Sequence, residues 1–455
     1  MTRENILQSL YFLITSLIVI GPALYNRYPL VYFDSGAYME MAVSLEPSFH
    51  RAIGYPMLMR ISGWIISNWP IVLIQGFLVS WLSFRLIKIF RKNQIYATHF
   101  LTITILSFST SLSWYAAQLM PDIFTYILSL AVALVVFEPH FTWKKALLYG
   151  GVIFSSLITH LSHLPLLLLV IATLFFGKWV WASSKLSKAR WLGLTLPLIL
   201  AFLFTSSYNA IWNNGFRMSL ASNIFITANI GEMGLLKMYL NENCESNQFS
   251  LCAIKDSLPL ETGGYLWDVD GPVQTSQGGW AAMNDECAPI VKDFLTNPRY
   301  LKWFLFGAIK ATFKQMFQIE LGSGLQYQYG DGSPPSWPMH THFKQELNEY
   351  LISVQNKGNG LPLDFFRILN YISLFLTMLV LGWAVLTGRL DQRLILLIVL
   401  FLIFYFYNAA ITGVLANVYE RLQCRLLPLF PFVALLVLSS VEELSQGKSK
   451  VTRRE

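Results

Sequence analysis

The chain has 455 residues, of which 54% are hydrophobic and 13% charged, against about 25% charged in a typical soluble domain. With a mean hydropathy of +0.48, this composition excludes a water-soluble globule of such length and points to an all-α polytopic membrane protein. The net charge of +7 reads as lysine and arginine concentrated in cytoplasmic loops by membrane insertion, so membrane lipids are expected as partners and nucleic acid is not.

A span takes about 20 apolar residues. In chain order the candidates are 6–25, 69–88, 97–114, 121–137, 146–160, 164–181, 191–212, 368–387, 394–413 and 426–441, about ten in all. The first is longer than the ~7–15-residue core of a signal peptide and no small-residue cleavage site follows, so it reads as a retained anchor. Residues 146–177 hold no charge. As one helix they would reach about 48 Å, too far for a ~30 Å bilayer core, so they read as a hairpin turning at 160–165. With the N-terminus inside, the connections 85–92, 144–145, 178–190, 389–393 and 448–454 are all basic, as cytoplasmic loops should be.

These spans divide the chain into an N-terminal transmembrane module, 1–212, with a first outer loop at 26–68. A large extracytoplasmic loop domain of mixed or irregular structure follows at 213–366, then a C-terminal module with a basic tail, 367–455. In the loop domain, 299–320 carries Lys302, Lys310 and Lys314 within about 120° of a helical wheel. It reads as an amphipathic helix on the outer membrane surface or as a helix of the loop domain. The Gly/Pro-rich segment 322–335 reads as a lid or a plain connector. Cys244, Cys252, Cys287 and Cys424 fall on the oxidising side; they allow three pairings, of which Cys244–Cys252 closes the shortest loop.

Topology also brings ionisable groups to the outer boundary, where charge is expensive unless used: Asp34, Glu40, Arg51, Arg60, Asp122, His160, His163, Glu420, Arg421 and Arg425. Each has a plainer structural use. Asp34 and Asp122 precede helices they could cap. His160 and His163, three apart, suit a metal pair or a hydrogen-bonded turn, and His340-x-His342 is a weak metal signal. Arg51 suits a phosphate. Arg421 and Arg425, four apart, would share one helix face and present two guanidiniums to an anion, or snorkel to lipid headgroups.

Asp34 in the first outer loop, Tyr55-Pro56 opening a helix, Pro121-Asp122 at the second outer turn, the His-bearing third turn and the arginines near the last span resemble the GT-C glycosyltransferases. That superfamily includes the protein O-mannosyltransferases and the lipid A aminoarabinose transferases. The resemblance covers 1–212 and, more loosely, 419–431. It implies Asp34 as the catalytic acidic residue and Asp122 as the second acidic position. It also implies Arg421 or Arg425 on the phosphate of a polyprenyl-phosphate sugar donor, with Arg51, Tyr55, His160 and His163 completing the substrate-binding set. Several members carry two adjacent acids, whereas Ser35 follows Asp34 here, a departure that counts against a metal-dependent version; the cofactor the resemblance leaves open is a divalent metal ion. The implied activity moves a sugar to a hydroxyl of a glycan, lipid or protein acceptor on the extracytoplasmic face. Composition fits a bacterial inner membrane or an endoplasmic reticulum membrane, and the short loops and compact tail favour the bacterial one, with the site toward the periplasm. A lipid-linked glycan polymerase or ligase is the neighbouring reading. A transporter or flippase of lipid-linked saccharides is the reading from another class, and it would call for midplane charges and an internal repeat, neither of which the sequence carries.

Overall fold

The structure, a computed structural model, describes residues 3–177, 186–246, 249–357 and 360–452, with side chains up to 440. Most of the expected basic connection 178–190 and the end of the tail therefore lie outside the described residues. Among those described, every element is helical, and the one β feature is an isolated parallel bridge between Leu30 and Gln118. Five stretches are long and apolar enough to cross a membrane: Trp69–Phe90, Lys188–Ile211, Leu363–Leu386, Gln392–Leu415 and Glu420–Ser440. Other expected spans hold shorter apolar helices, Ile95–Ser109, Ile123–Phe137 and His163–Phe176. A 15-residue helix is only about 22 Å long. Ile123–Phe137 shows why it needs no more: Ile123 to Val136 are all buried, so this helix is apolar on every side because protein surrounds it.

That central helix has two chemically distinct ends. Glu138, just past its C-terminus, accepts from Arg85 at 2.8 Å, Lys145 at 2.9 Å and the Tyr149 hydroxyl at 3.1 Å. Arg190 donates to the carbonyls of Val136 and Glu138 at 2.8 and 2.7 Å, where cations suit the negative end of the helix dipole. Three of the expected basic connections thus meet at one end of the bundle. The opposite end carries Asp122.

The region 213–366 holds helices and no strand in its described residues, joined by irregular stretches such as 317–335, and its packing splits in two. Residues 221–304 enclose a core of their own around Ile224, Leu240, Ile290 and Phe294. Farther on, Leu321, Leu325, Tyr329, Met339 and Tyr350 join the core of the bundle. Cys244 and Cys252 form a disulfide, while Cys287 and Cys424 are buried thiols. The latter two sit in different cores, which excludes their pairing.

The expected interfacial helix is Pro298–Met316, and it packs antiparallel against Gln392–Leu415. Gly413 faces Ala311 and Gln315 so closely that an added Cβ would come within about 3.0 Å of the Ala311 carbonyl, and the Tyr405 hydroxyl donates to the Met316 carbonyl at 2.5 Å. One face is therefore buried on a candidate span, while Phe306, Ile309, Phe313 and Phe317 stay exposed. The Gly/Pro-rich segment is likewise no free connector. Gly36 abuts Pro334, and Gly324, at a φ of +81°, lies so close to Tyr32 that a side chain there would overlap the ring. Tyr329 closes the loop from inside, donating to the Gly324 carbonyl at 2.7 Å.

Glu346 pins the chain just after this segment to the first outer loop. Its buried carboxylate accepts from Tyr28 Oη at 2.9 Å, Ser67 Oγ at 2.5 Å, the Asn68 amide at 3.2 Å and Asn68 Nδ2 at 3.1 Å. Buried donors left without a partner cost about 1–3 kcal/mol. Glu346→Ala is therefore expected to lower the apparent Tm in detergent well beyond the change from Glu349→Ala, an exposed position in the short helix Leu347–Leu351 that follows Glu346. Equal shifts would contradict the assignment.

Candidate active site

Backbone pairing brings the first outer loop to the second. Leu30 donates to the Ala117 carbonyl and accepts from the Leu119 amide, both at 2.9 Å. Gln75 braces the same turn through the carbonyls of Ala116 and Gln118 at 2.9 and 3.0 Å. Tyr55 in turn donates to Gln75 Oε1 at 2.9 Å, and the tyrosine is fully buried. Tyr55 thus supports the site from behind rather than lining it. A third segment arrives from the far end of the chain. The Gln315 carboxamide grips the Tyr419 backbone in both directions, at 2.8 and 2.9 Å, and sets the position of Arg421.

Asp34 and Asp122 do precede helices, Ser35–Ser44 and Ile123–Phe137, yet neither carboxylate makes a capping hydrogen bond. Both turn to guanidiniums instead. Arg51 Nη2 donates to Asp34 Oδ1. Arg421 Nη1 stands 3.4 Å from Asp34 Oδ2 and 3.8 Å from Asp122 Oδ2. Arg425 Nη1 lies 3.0 Å from Asp122 Oδ1, and its Nη2 donates to Asn408 Oδ1 at 3.2 Å. The groups alternate in sign along one chain: Arg51, Asp34, Arg421, Asp122, Arg425. Three guanidiniums against two carboxylates leave one positive charge uncompensated.

The two ends of this chain differ in access. The Arg425 and Asp122 side chains are 0% and 2% exposed, whereas Arg421 and Asp34 are 14% and 23% exposed. Asp34, Arg51 and Arg421 line a cavity of about 510 Å³, closed on another side by Phe225, Leu266 and Trp267 of the 221–304 unit. Arg421 and Arg425 do not share a helix face toward an anion, because Glu420–Cys424 ends between them and Arg425 folds inward onto Asp122. Arg421 is the member that reaches the cavity.

The histidines also separate. His163 is fully buried and uses both ring nitrogens: Nδ1 donates to the Ser156 carbonyl and Nε2 faces Thr125 Oγ1, each at 2.7 Å. His160 lines the cavity, its Nδ1 accepting from the Ser162 amide at 3.2 Å. In the loop, His340 pairs with Asp331 at 2.6 Å and His342 with Glu40 at 3.4 Å, so the two imidazoles do not converge. Arg60 is spent on carbonyls at the end of Ser35–Ser44, Ala42 at 3.1 Å and Val43 at 2.7 Å. Among the described residues no three His, Cys, Asp or Glu side chains form a metal-binding group. The Arg421 guanidinium stands between Asp34 and Asp122, so in this arrangement the two acids face a side-chain cation.

Electrostatics fix the state of the acid that lines the cavity. Burial alone would raise the Asp34 carboxyl, but the Arg51 and Arg421 guanidiniums outweigh it and hold the group below the usual carboxylate range. His50, beside Arg51, is pulled down to about 3 by burial and by that guanidinium, so it adds no charge at neutral pH. Sequence reasoning missed the residues that aim the arginines. The Tyr32 ring lies 4.3 Å from the Arg421 guanidinium carbon and the Tyr38 ring 5.7 Å from that of Arg51. Their closeness to Asp34 in sequence is the one signal that could have found them. Trp267 and Gln315 carried none. Comparison with protein-family models, curated proteins and solved structures finds no match to this chain.

The inner pair is buried, and breaking one partner of a buried ion pair costs about 3–5 kcal/mol. Arg425→Met is expected to cause a large loss of apparent Tm in detergent, and Asp122→Asn added to it should restore part of that loss. A double variant no better than the single one would contradict the pairing.

Proposed function

We propose that this chain is a membrane glycosyltransferase that moves a sugar from a polyprenyl-phosphate donor to an acceptor hydroxyl on the extracytoplasmic face of the membrane. The observation that carries the reading is the alternating arginine–aspartate chain, whose surplus positive charge faces a cavity at the boundary between the helical bundle and the 221–304 unit. A phosphate supplies the missing negative charge, and Arg421 and Arg51 are the guanidiniums with access to it. The GT-C resemblance of the motifs around Asp34, Tyr55, Asp122 and Arg421 points the same way.

The reading includes about ten membrane crossings with both chain ends in the cytoplasm. The meeting of Arg85, Lys145 and Arg190 around the end of one helix supports it, since that end lies a helix length away from Asp122. The setting we favour is a bacterial inner membrane, with the cavity toward the periplasm, on the strength of the short loops.

In the reaction, the acceptor oxygen forms a bond to the anomeric carbon while the bond from that carbon to the phosphate oxygen breaks. The bonding pair leaves with the polyprenyl phosphate, and Arg421 and Arg51 stabilise the charge that develops there. Asp34 takes the hydroxyl proton as general base. Between two guanidiniums Asp34 is a weak base. A bound phosphate draws on the same guanidiniums, so the donor itself strengthens the base at the moment it is needed.

The direct test incubates protein in lipid with a panel of radiolabelled polyprenyl-phosphate sugars and compares wild type with Asp34→Asn. One donor should be turned over, and loss of the base should slow it about 10²–10⁴-fold. A fully active variant would remove Asp34 from its role, and a wild type that consumes no donor would remove the reading itself. Because Asp34 is ionised above its depressed pKa, kcat/KM should fall only as pH drops through that value. Arg51→Gln takes away one of the charges that depress it, so the acid limb should move to higher pH. An unmoved limb would contradict the electrostatic account.

A further inference from the structure

The cavity has a second wall that the transfer chemistry leaves unused. Trp267, the last residue of the short Thr262–Trp267 helix, lines the cavity and is 45% exposed. Behind it stands an aromatic cluster drawn from separate parts of the chain. The His50 ring lies 5.1 Å away edge-on, the Trp280 ring 5.3 Å away and the Phe225 ring 6.4 Å away. His50 and Trp280 also face each other at 5.0 Å. One side of the indole is thus held by packed rings while another part of its surface is open, an arrangement that costs little entropy when a ligand settles on it. Gly263, on the same lining, faces open space: an added Cβ there would touch nothing within 4 Å. Ser219 and Ser222 supply hydroxyls on the same lining.

Position ties this wall to the reacting end of the cavity. His50 precedes Arg51 in sequence, and Arg51 holds Asp34. His50 is uncharged at neutral pH, so the cluster is a neutral aromatic wall next to a charged grip. The lipid phosphate and its chain call for guanidiniums and aliphatic side chains. A pyranose calls for something else: its C–H faces carry partial positive charge and rest on the negative face of an aromatic ring, while its rim needs hydroxyl partners.

We propose that Trp267, backed by His50, Trp280 and Phe225, is the stacking platform for the sugar ring, so that the cavity has a sugar subsite separate from its phosphate grip. This rests on the glycosyl-phosphate reading and assigns the part of the ligand that the arginines do not recognise. Base-on-aromatic stacking, the nearest measured analogue, is sensitive to alanine substitution by roughly tenfold or more, and a similar increment is expected here.

The test titrates protein in lipid nanodiscs with citronellyl phosphate and with the same lipid phosphate carrying glucose, mannose or galactose. Wild type should bind at least one glycosylated form about tenfold more tightly than citronellyl phosphate. Trp267→Ala should abolish that difference and keep the affinity for citronellyl phosphate, which also reports that the variant is folded. Trp267→Phe, which restores a ring face, should recover part of the difference. A sugar increment that survives Trp267→Ala, equal losses for both kinds of lipid, or no increment in wild type would overturn the subsite and leave the phosphate grip standing. Wild type that binds none of the lipids, citronellyl phosphate included, would overturn the glycosyl-phosphate reading and the subsite with it.

Discussion

A guanidinium taken out of water costs several kcal/mol unless an anion meets it, and this protein gathers three of them at one end of a helical bundle with two carboxylates to meet them. The rest of the site follows from that imbalance. The inner arginine, Arg425, is sealed against Asp122 and Asn408 and fixes where Asp122 points. Arg421, shared between both acids, is left with only partial compensation. Its ring partner Tyr32 and the Gln315 clamp on Tyr419 then determine where the unspent charge is presented. An exposed pair would be worth little and would be screened by salt; the partial burial here is what gives the surplus charge its force.

Holding such a group in place takes contacts from distant parts of the chain, and this explains the elaborate tying of the outer loops. The Leu30–Gln118 bridge joins the first outer loop to the turn before Asp122. Glu346 joins the same loop to the segment after the Gly/Pro-rich strap. Two glycines, Gly36 and Gly324, let that strap approach more closely than any side chain would allow. A cavity bounded by the bundle on one side and by the independently packed 221–304 unit on the other can join charged and aromatic walls that no single element would supply.

How much of this could be read from the sequence depended on the physics of each residue. Asp34, Asp122, Arg51 and Arg421 stood out because apolar spans force loops to one side and leave charges stranded at their ends. The role of Arg425 did not, since four-residue spacing presumes a continuous helix and the chain turns after Cys424. Tyr55 and His163 are expected in the substrate-binding set, but their partners, Gln75 and the Ser156 carbonyl, are choices of the folded chain that local pattern does not encode. Ile123–Phe137 looks like any span by hydropathy, because apolarity does not distinguish a helix wrapped in lipid from one wrapped in protein. The strap read as a lid or connector because glycine and proline report local freedom and say nothing of the surface they pack on.

The central claim is that the surplus charge is built to hold the phosphate of a lipid carrier, and the most direct measurement compares polyprenyl phosphate with the uncharged polyprenol as ligands of the protein in nanodiscs. The account predicts that wild type prefers the phosphate and that Arg421→Gln loses this preference while its affinity for the alcohol stays the same. Equal affinity of wild type for the two lipids, or a phosphate preference that persists without Arg421, would contradict it.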